Sequence, residues 1–317
     1  MNLFPEIIAA EKRIKTNILK TPLYPSNYLS QLSEGQVFLK LENEQYTGSF
    51  KARGALNKIL SATPEEVAIG FITASTGNHA QGFARALSIA GATGTIFLPE
   101  NASPAKVEAL KSYPVELEFY GHNSLETELH AKAIAEKRGL IWVSPYNDPL
   151  IVAGQGTMGL EINTQAPDSI DYVLGCIGGG GMMAGVSTAI KNISPQTTVV
   201  GCLPEKSPEM YLSVQAGKVV FIDFEETLSD GSAGGLEDGS ITFPICQKYV
   251  DEYTLVTEEE IADSIRLIAQ KHHKIIEGAA AVAVASFLKD VEKYKGKTVV
   301  IIICGANISM KKLKEIL

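Results

Sequence analysis

Three short segments of this 317-residue sequence carry residues whose types and spacing could do chemistry. In the first, Gly48-Ser49-Phe50-Lys51-Ala52-Arg53-Gly54-Ala55, a polar turn runs into a helical stretch. Lys51 falls in the first turn, where the helix dipole repels a cation. A lysine so placed is open to neutralisation, and a neutral amine can form a Schiff base with a carbonyl. Taken alone, a solvated surface lysine is the simpler reading. The second segment is Gly178–Gly181, after the apolar run Tyr172–Ile177 and before a helical stretch. Consecutive glycines let backbone amides converge on an anion, and the following helix dipole adds attraction. Phosphate is the natural guest, with a tight strand-to-helix turn as the bland alternative. The third segment is Ala74-Ser75-Thr76-Gly77-Asn78-His79-Ala80-Gln81-Gly82. Hydroxyls, an amide and free N–H groups at a helix start suit a carboxylate. Simple N-capping by Ser75 or Thr76 would also account for it.

The glycine cluster fails two nucleotide patterns. In G-x-G-x-x-G counted from Gly178, the third glycine position is Met183. In G-x-x-x-x-G-K-[ST] counted from Gly180, the lysine position is Val186, so the cation for the outer phosphates is missing. The pattern favours a single phosphate group held by main-chain amides.

The elements that must position these segments alternate along the chain. Strands are predicted at 37–41, 68–73, 94–98, 117–120, 140–143, 172–177, 198–203 and 299–303. Helices are predicted at 78–90, 104–112, 125–138, 153–164, 183–190, 258–271 and 278–288, with an amphipathic helix at the N-terminus and a short one at the C-terminus. Strand–helix alternation implies parallel sheets with crossover helices, and continuous apolar strands imply that both sheet faces are covered. The fold class is therefore α/β, with two doubly wound domains and mostly parallel sheets. Ligands in such folds bind beyond the carboxyl ends of strands. The stretch 223–243, with SDGSAGGLEDGS at its heart, is irregular, and reads equally as a functional loop or a surface connection.

Composition bounds the rest. Hydrophobic residues make up 45% and charged residues 20%, an ordinary globular balance. Lys+Arg is 28 against Asp+Glu 36, a formal net charge of −8, which disfavours nucleic acid and anionic membranes as partners. The four cysteines Cys176, Cys202, Cys246 and Cys304 show no metal-site spacing and suit a reducing cytoplasm. No apolar stretch is long enough to span a bilayer, and the N-terminus reads as a helix, not a signal peptide.

Five motifs together carry a resemblance: GSFKARGA, ASTGNHAQG, AGQGTMGLEI (153–162), GGGGMMAG (178–185) and ICGAN (303–307). In this order, and spread over essentially the whole chain, they resemble the pyridoxal-phosphate enzymes of fold type II, specifically the serine/threonine dehydratase and serine racemase group. The resemblance implies a tryptophan synthase β-like fold, with residues 1–60 and 147–317 as a large cofactor-binding domain and 61–146 as a small one. It implies that Lys51 holds pyridoxal 5'-phosphate as a Schiff base, and that Phe50 and Asn78 flank the ring, Asn78 bonding the phenolic oxygen. Gly178, Gly179, Gly180, Gly181 and Met182 would bind the phosphate. Cys304 would face the pyridine nitrogen, where a neutral thiol limits electron withdrawal and favours elimination. Ser75, Thr76 and His79 would meet the substrate carboxylate through side chains or amides, and Tyr146 would border the substrate side chain. Freed Lys51 would remove the α-proton, the β-hydroxyl would leave as water, and hydrolysis would give a 2-oxo acid and ammonia.

Departures from the family pattern bear on which member this is. Racemisation needs an acid/base on the opposite face of the cofactor, where the similar racemases carry serine and this chain has Thr76. The extra methyl restricts its rotamers and crowds that face. Leu203 stands where many members have a metal-binding glutamate, leaving Glu209 and at most Glu205, so the family's divalent-cation site is expected to be weak or absent. The 229–240 loop and Glu277-Gly278-Ala279 also depart from the common pattern, which leaves substrate preference open. Ectoine-utilisation and aryl-serine dehydratases are among the relatives the resemblance allows. The chain stops soon after ICGAN, so feedback control by isoleucine is not expected. The resulting expectation is a cytoplasmic threonine/serine ammonia-lyase, a homodimer as the resemblance implies, acting on L-threonine, L-serine or a related β-hydroxy amino acid. Serine racemase with side dehydratase activity is the alternative within the family. A β-replacement synthase and a catalytically silent amino-acid-binding regulator are the others.

Overall fold

The computed structural model describes residues 2–167, 169–222 and 225–317. Ten strands form two sheets: β1 (Leu23–Pro25), β2 (Gln36–Leu41), β3 (Phe71–Ala74), β4 (Gly94–Leu98), β5 (Glu116–Phe119), β6 (Ile141–Trp142), β7 (Tyr172–Cys176), β8 (Thr198–Pro204), β9 (Glu252–Val256) and β10 (Thr298–Ile303). The larger sheet has the order β1-β2-β10-β7-β8-β9, parallel except for the antiparallel edge pair β1–β2. The smaller sheet, β5-β4-β3-β6, is parallel throughout. Every residue of β10 is buried, as its unbroken apolar sequence requires of a central parallel strand. The apolar helix Gly278–Lys289 is likewise buried up to Phe287.

Several boundaries differ from the sequence expectation, each for a local reason. Ala68 and Ile69 end a short helix, Pro64–Ile69, rather than begin a strand. Thr63 and Glu66 form a reciprocal capping box at its start, and Gly70 at φ 95 ends it. The helix expected from Ala153 begins at Pro149, because the Asp148 carboxylate accepts from the amides of Leu150 (2.7 Å) and Ile151 (3.3 Å). Of the irregular stretch, Asp223 and Phe224 lie outside the described residues. Its end is helical, in Thr242–Tyr249, and Ser229, Ser232, Leu236 and Ser240 are buried, so it is no loose surface connection.

Two contacts anchor the helix Lys51–Leu60, which carries the candidate nucleophile. On one side its backbone touches the long helix Pro149–Gln165. A β-carbon on Gly154 would lie 2.6 Å from the Gly54 Cα, so no larger residue fits without separating the helices. Beneath it lies a buried ionic cluster. The Arg53 guanidinium donates two bonds to Glu42 (both 2.8 Å) and two to Glu161 (2.7 and 2.8 Å). Lys40, at 0% exposure, donates to Glu161 (2.5 Å), to the Thr21 carbonyl (2.8 Å) and to Gln165 (2.9 Å). Burial works against the Arg53 charge, but Glu42 and Glu161 outweigh it and hold the guanidinium firmly protonated. Paired bidentate geometry of this kind is what makes such a burial tolerable. The arginine of GSFKARGA and the glutamate of AGQGTMGLEI are thus partners across 108 residues of chain.

Candidate active site

The carboxyl ends of β3, β7 and β10 bring the singled-out segments together. Lys51 is the first residue of its helix, and no side chain caps that end. Its amine donates to the Pro145 carbonyl at 2.7 Å and lies 5.3 Å from the centre of the Phe50 ring. Burial lowers its pKa to about 8, against the opposing pull of Cys304, Glu277 and Glu128. The amine is therefore easier to neutralise, as its position suggested, but loss of water is the larger cause.

Asn78 opens the helix Asn78–Ala90 after the side-chain-free N-cap Gly77. Neither Ser75 nor Thr76 caps the helix; the Ser75 hydroxyl accepts from the Gly77 amide at 3.2 Å. The first amides of this 13-residue helix thus point past its end without a side-chain acceptor. The Asn78 amide nitrogen donates to both oxygens of Glu277, at 2.8 and 3.0 Å. Its oxygen accepts from Asn307 Nδ2 at 2.6 Å. Asn307 also donates its backbone N–H to Glu277 at 3.0 Å and Nδ2 to the Thr47 carbonyl at 2.8 Å. His79 turns away: its Nε2 lies 3.1 Å from Thr73 Oγ1 and 3.3 Å from the Val143 carbonyl. Burial, with Lys51 adding to it, pushes its pKa down to about 3, so the ring is neutral. Of the two routes by which His79 was expected to meet a carboxylate, only the backbone amide remains.

The glycine run forms a cradle that no other residue could line. Gly180 has φ +83, and its β-carbon would sit 2.6 Å from Met210 Cε. It is the N-cap of the helix Gly181–Ile193, again without a side-chain cap. Above the run lies Tyr146, whose ring would meet a Gly179 β-carbon at 2.6 Å. The Tyr146 hydroxyl accepts from the Glu237 amide at 2.8 Å, tying the 229–240 segment over the site. Met182 is buried at the first helical turn. Cys304 follows β10, and its carbonyl accepts from the Phe50 amide at 3.1 Å. Burial raises its thiol well above the usual range, with Glu277 adding to the effect, so it is protonated and neutral.

Two residues here had no role assigned from sequence. In the sequence Glu277 stands out only as a departure from the family pattern, and Asn307 only as the last letter of ICGAN. A lone carboxylate directly before the apolar run GAAAVAVA was the available signal. At the end of β8, Leu203 is buried, Glu205 lies 3.6 Å from Lys289, and Glu209 accepts from the Ser207 hydroxyl at 2.9 Å. Among the described residues, no group of three or more acidic, histidine or cysteine side chains is placed to hold a metal.

A family model described as pyridoxal-phosphate dependent enzyme matches residues 14–305. The chain belongs to this family. Its fold is that of type II members. The L-threonine ammonia-lyase of Thermotoga maritima is 40% identical over 312 residues, 98% of this chain and 77% of that one. The processed form of threonine deaminase isoform 2 from Solanum lycopersicum superposes with a TM-score of 0.94 at 34% identity, covering 99% of this chain and 86% of that one. Serine racemase from Dictyostelium discoideum superposes with a TM-score of 0.89 at 31% identity, covering 97% and 99%. The residues present fit the family's cofactor: a side-chain-free amide cradle, a lysine of lowered basicity, a donating amide and a neutral thiol.

Proposed function

We propose that the protein removes water and ammonia from L-threonine, L-serine or a related β-hydroxy amino acid, giving a 2-oxo acid. The observation that carries the reading is the Lys51 amine, of pKa about 8, on a helix held from behind by the Arg53 cluster. Gly178, Gly179, Gly180, Gly181 and Met182 would hold the phosphate of pyridoxal phosphate by their amides. Phe50 and Asn78 would flank its ring, and Cys304 would meet its nitrogen as a neutral group. Bound there, the cofactor supplies an electron sink for charge developing at the substrate Cα.

The chain's own residues do the rest. Ser75, Thr76 and the uncapped amides at the start of the Asn78 helix bind the substrate carboxylate and set the Cα–H bond toward Lys51. Lys51 Nζ takes the α-proton, with a basicity close to neutral pH. Tyr146, tied to Glu237, covers the cradle and borders the substrate side chain. Residues 1–60 and 147–317 form the large domain and 61–146 the small one, a division supported by the two sheets. A cytoplasmic homodimer is the proposed setting. The proposal of a weak or absent divalent site rests on Leu203 in place of a carboxylate. No helix among the described residues is long and apolar enough to cross a membrane.

Serine racemase is the second reading, since Thr76 keeps a hydroxyl on the relevant segment and a serine racemase is a close structural neighbour. One assay separates the two. The protein, loaded with pyridoxal phosphate, is incubated with L-serine and L-threonine, and 2-oxo acid and D-amino acid are measured in the same sample. Dominant oxo acid is expected; dominant D-serine would replace the dehydratase reading with the racemase one, and neither product would sink both.

A further inference from the structure

Glu277 is the N-cap of the helix Gly278–Lys289, yet its side chain does not cap that helix. At 4% exposure, the carboxylate instead accepts from Asn78 Nδ2 and from the Asn307 backbone. Room for it is made by Gly305, whose β-carbon would fall 2.5 Å from Glu277 Oε1. A buried carboxylate on such a task is costly unless its partners matter.

The geometry settles the orientation of the Asn78 amide. Its nitrogen faces two carboxylate oxygens, and its oxygen faces the Asn307 amide donor. A flipped amide would oppose oxygen to oxygen and donor to donor. The two oxygens of one carboxylate lie too close together to take both N–H bonds of an amide, so they share one and the second remains for another acceptor. We propose that Glu277 is a positioning residue of the cofactor site: with Asn307 it clamps Asn78 so that an N–H, and not a carbonyl, is presented to the cofactor's phenolic oxygen. The proposal rests on the pyridoxal-phosphate reading above.

The charged and titratable groups around Glu277 are Lys51 on its helix, Asp230 on the irregular segment, and the thiols of Cys304 and Cys176 at the ends of β10 and β7. Burial raises the Glu277 pKa to about 7, with Asp230 adding to it and Asn78, Asn307 and Lys51 opposing it. The clamp therefore ionises within the range where cofactor binding is measured. Glutamine at this position keeps the volume but turns one acceptor into a donor facing a donor.

The test is titration of the cofactor-free wild type, Glu277→Gln and Asn307→Ala with pyridoxal phosphate, read by its visible absorption between roughly pH 6 and 9. Glu277→Gln is expected to weaken binding about tenfold and to flatten a step in the absorption near neutral pH, as loss of a charge-assisted bond implies. Asn307→Ala, at an exposed side chain, shifts affinity in the same direction by less, and serves alone if Glu277→Gln does not fold. A wild-type band with both variants within about twofold in affinity and an unchanged pH curve overturns the proposal alone. A wild type that develops no band overturns the cofactor reading, and the proposal with it.

Discussion

The helix Lys51–Leu60 stands between two polar regions built on opposite rules. Behind it, two cations and two anions (Lys40, Arg53, Glu42, Glu161) meet in paired geometry, and Arg53 is locked in its charged form. In front, Lys51 and Glu277 have both been moved by burial toward neutrality, to about 8 and about 7. The hydroxyls of Ser49 and Thr47 are buried there with no hydrogen-bond partner. The rear is satisfied and inert; the front is left wanting partners and protons. On the proposed function, motif residues two positions apart divide by task, Lys51 for chemistry and Arg53 for holding it still.

Substitutions can break this contrast or sharpen it. The largest effect is expected from Lys51→Ala. Oxo-acid formation should fall by roughly four orders of magnitude or more, while chemical unfolding of the cofactor-free protein stays near wild type or improves. A large loss of stability would place Lys51 among the holding residues. Next, Glu42→Gln strips Arg53 of one bidentate partner and should lower unfolding free energy by about 3–5 kcal/mol. A loss under about 1 kcal/mol would show that the rear cluster does not hold the helix.

A smaller effect comes from His79, whose pKa in the folded protein, about 3, lies below the 6.5 of an ordinary histidine. Because the folded value is depressed, its contribution is fully present above 6.5 and is lost as pH falls toward 3. Between pH 6.5 and about 4.5, wild type should lose about 1–3 kcal/mol more than His79→Gln in denaturant titrations. Equal losses would mean that the ring is not held neutral. Smallest is Thr76→Ser, expected to raise the ratio of D-serine to oxo acid by roughly two- to fivefold through a freer hydroxyl. An unchanged ratio would remove Thr76 from the choice between elimination and racemisation.

Much of the scaffold was legible because local rules suffice for it. The strand Gly94–Leu98 and the helix Asn78–Ala90 fall where their apolar patterns put them. The glycine run was legible as a special turn because Gly180 has a left-handed backbone and the neighbours of Gly178, Gly179 and Gly181 leave no room for a β-carbon. The edge strands β1, mostly exposed, and β9, mostly half-buried, leave no sequence signal, since neither has a long unbroken apolar run. Ala68 and Ile69 belong to the helix and not to the strand because a capping box starts that helix and Gly70 ends it, against an apolar run that continues into the strand. Glu277 and Asn307 reach Asn78 across 199 and 229 residues, so no local pattern announces the contact.

The bare contact between Gly54 and Gly154 has a consequence for heredity. A methyl group at either position would wedge the two helices apart and carry the Lys51 amine away from its place beside Pro145. A displacement of about 1 Å can reduce turnover about a hundredfold. On the proposed function, alleles altered at these two glycines would therefore behave as lesions of the reactive centre, although neither glycine is among the residues proposed to meet a reactant.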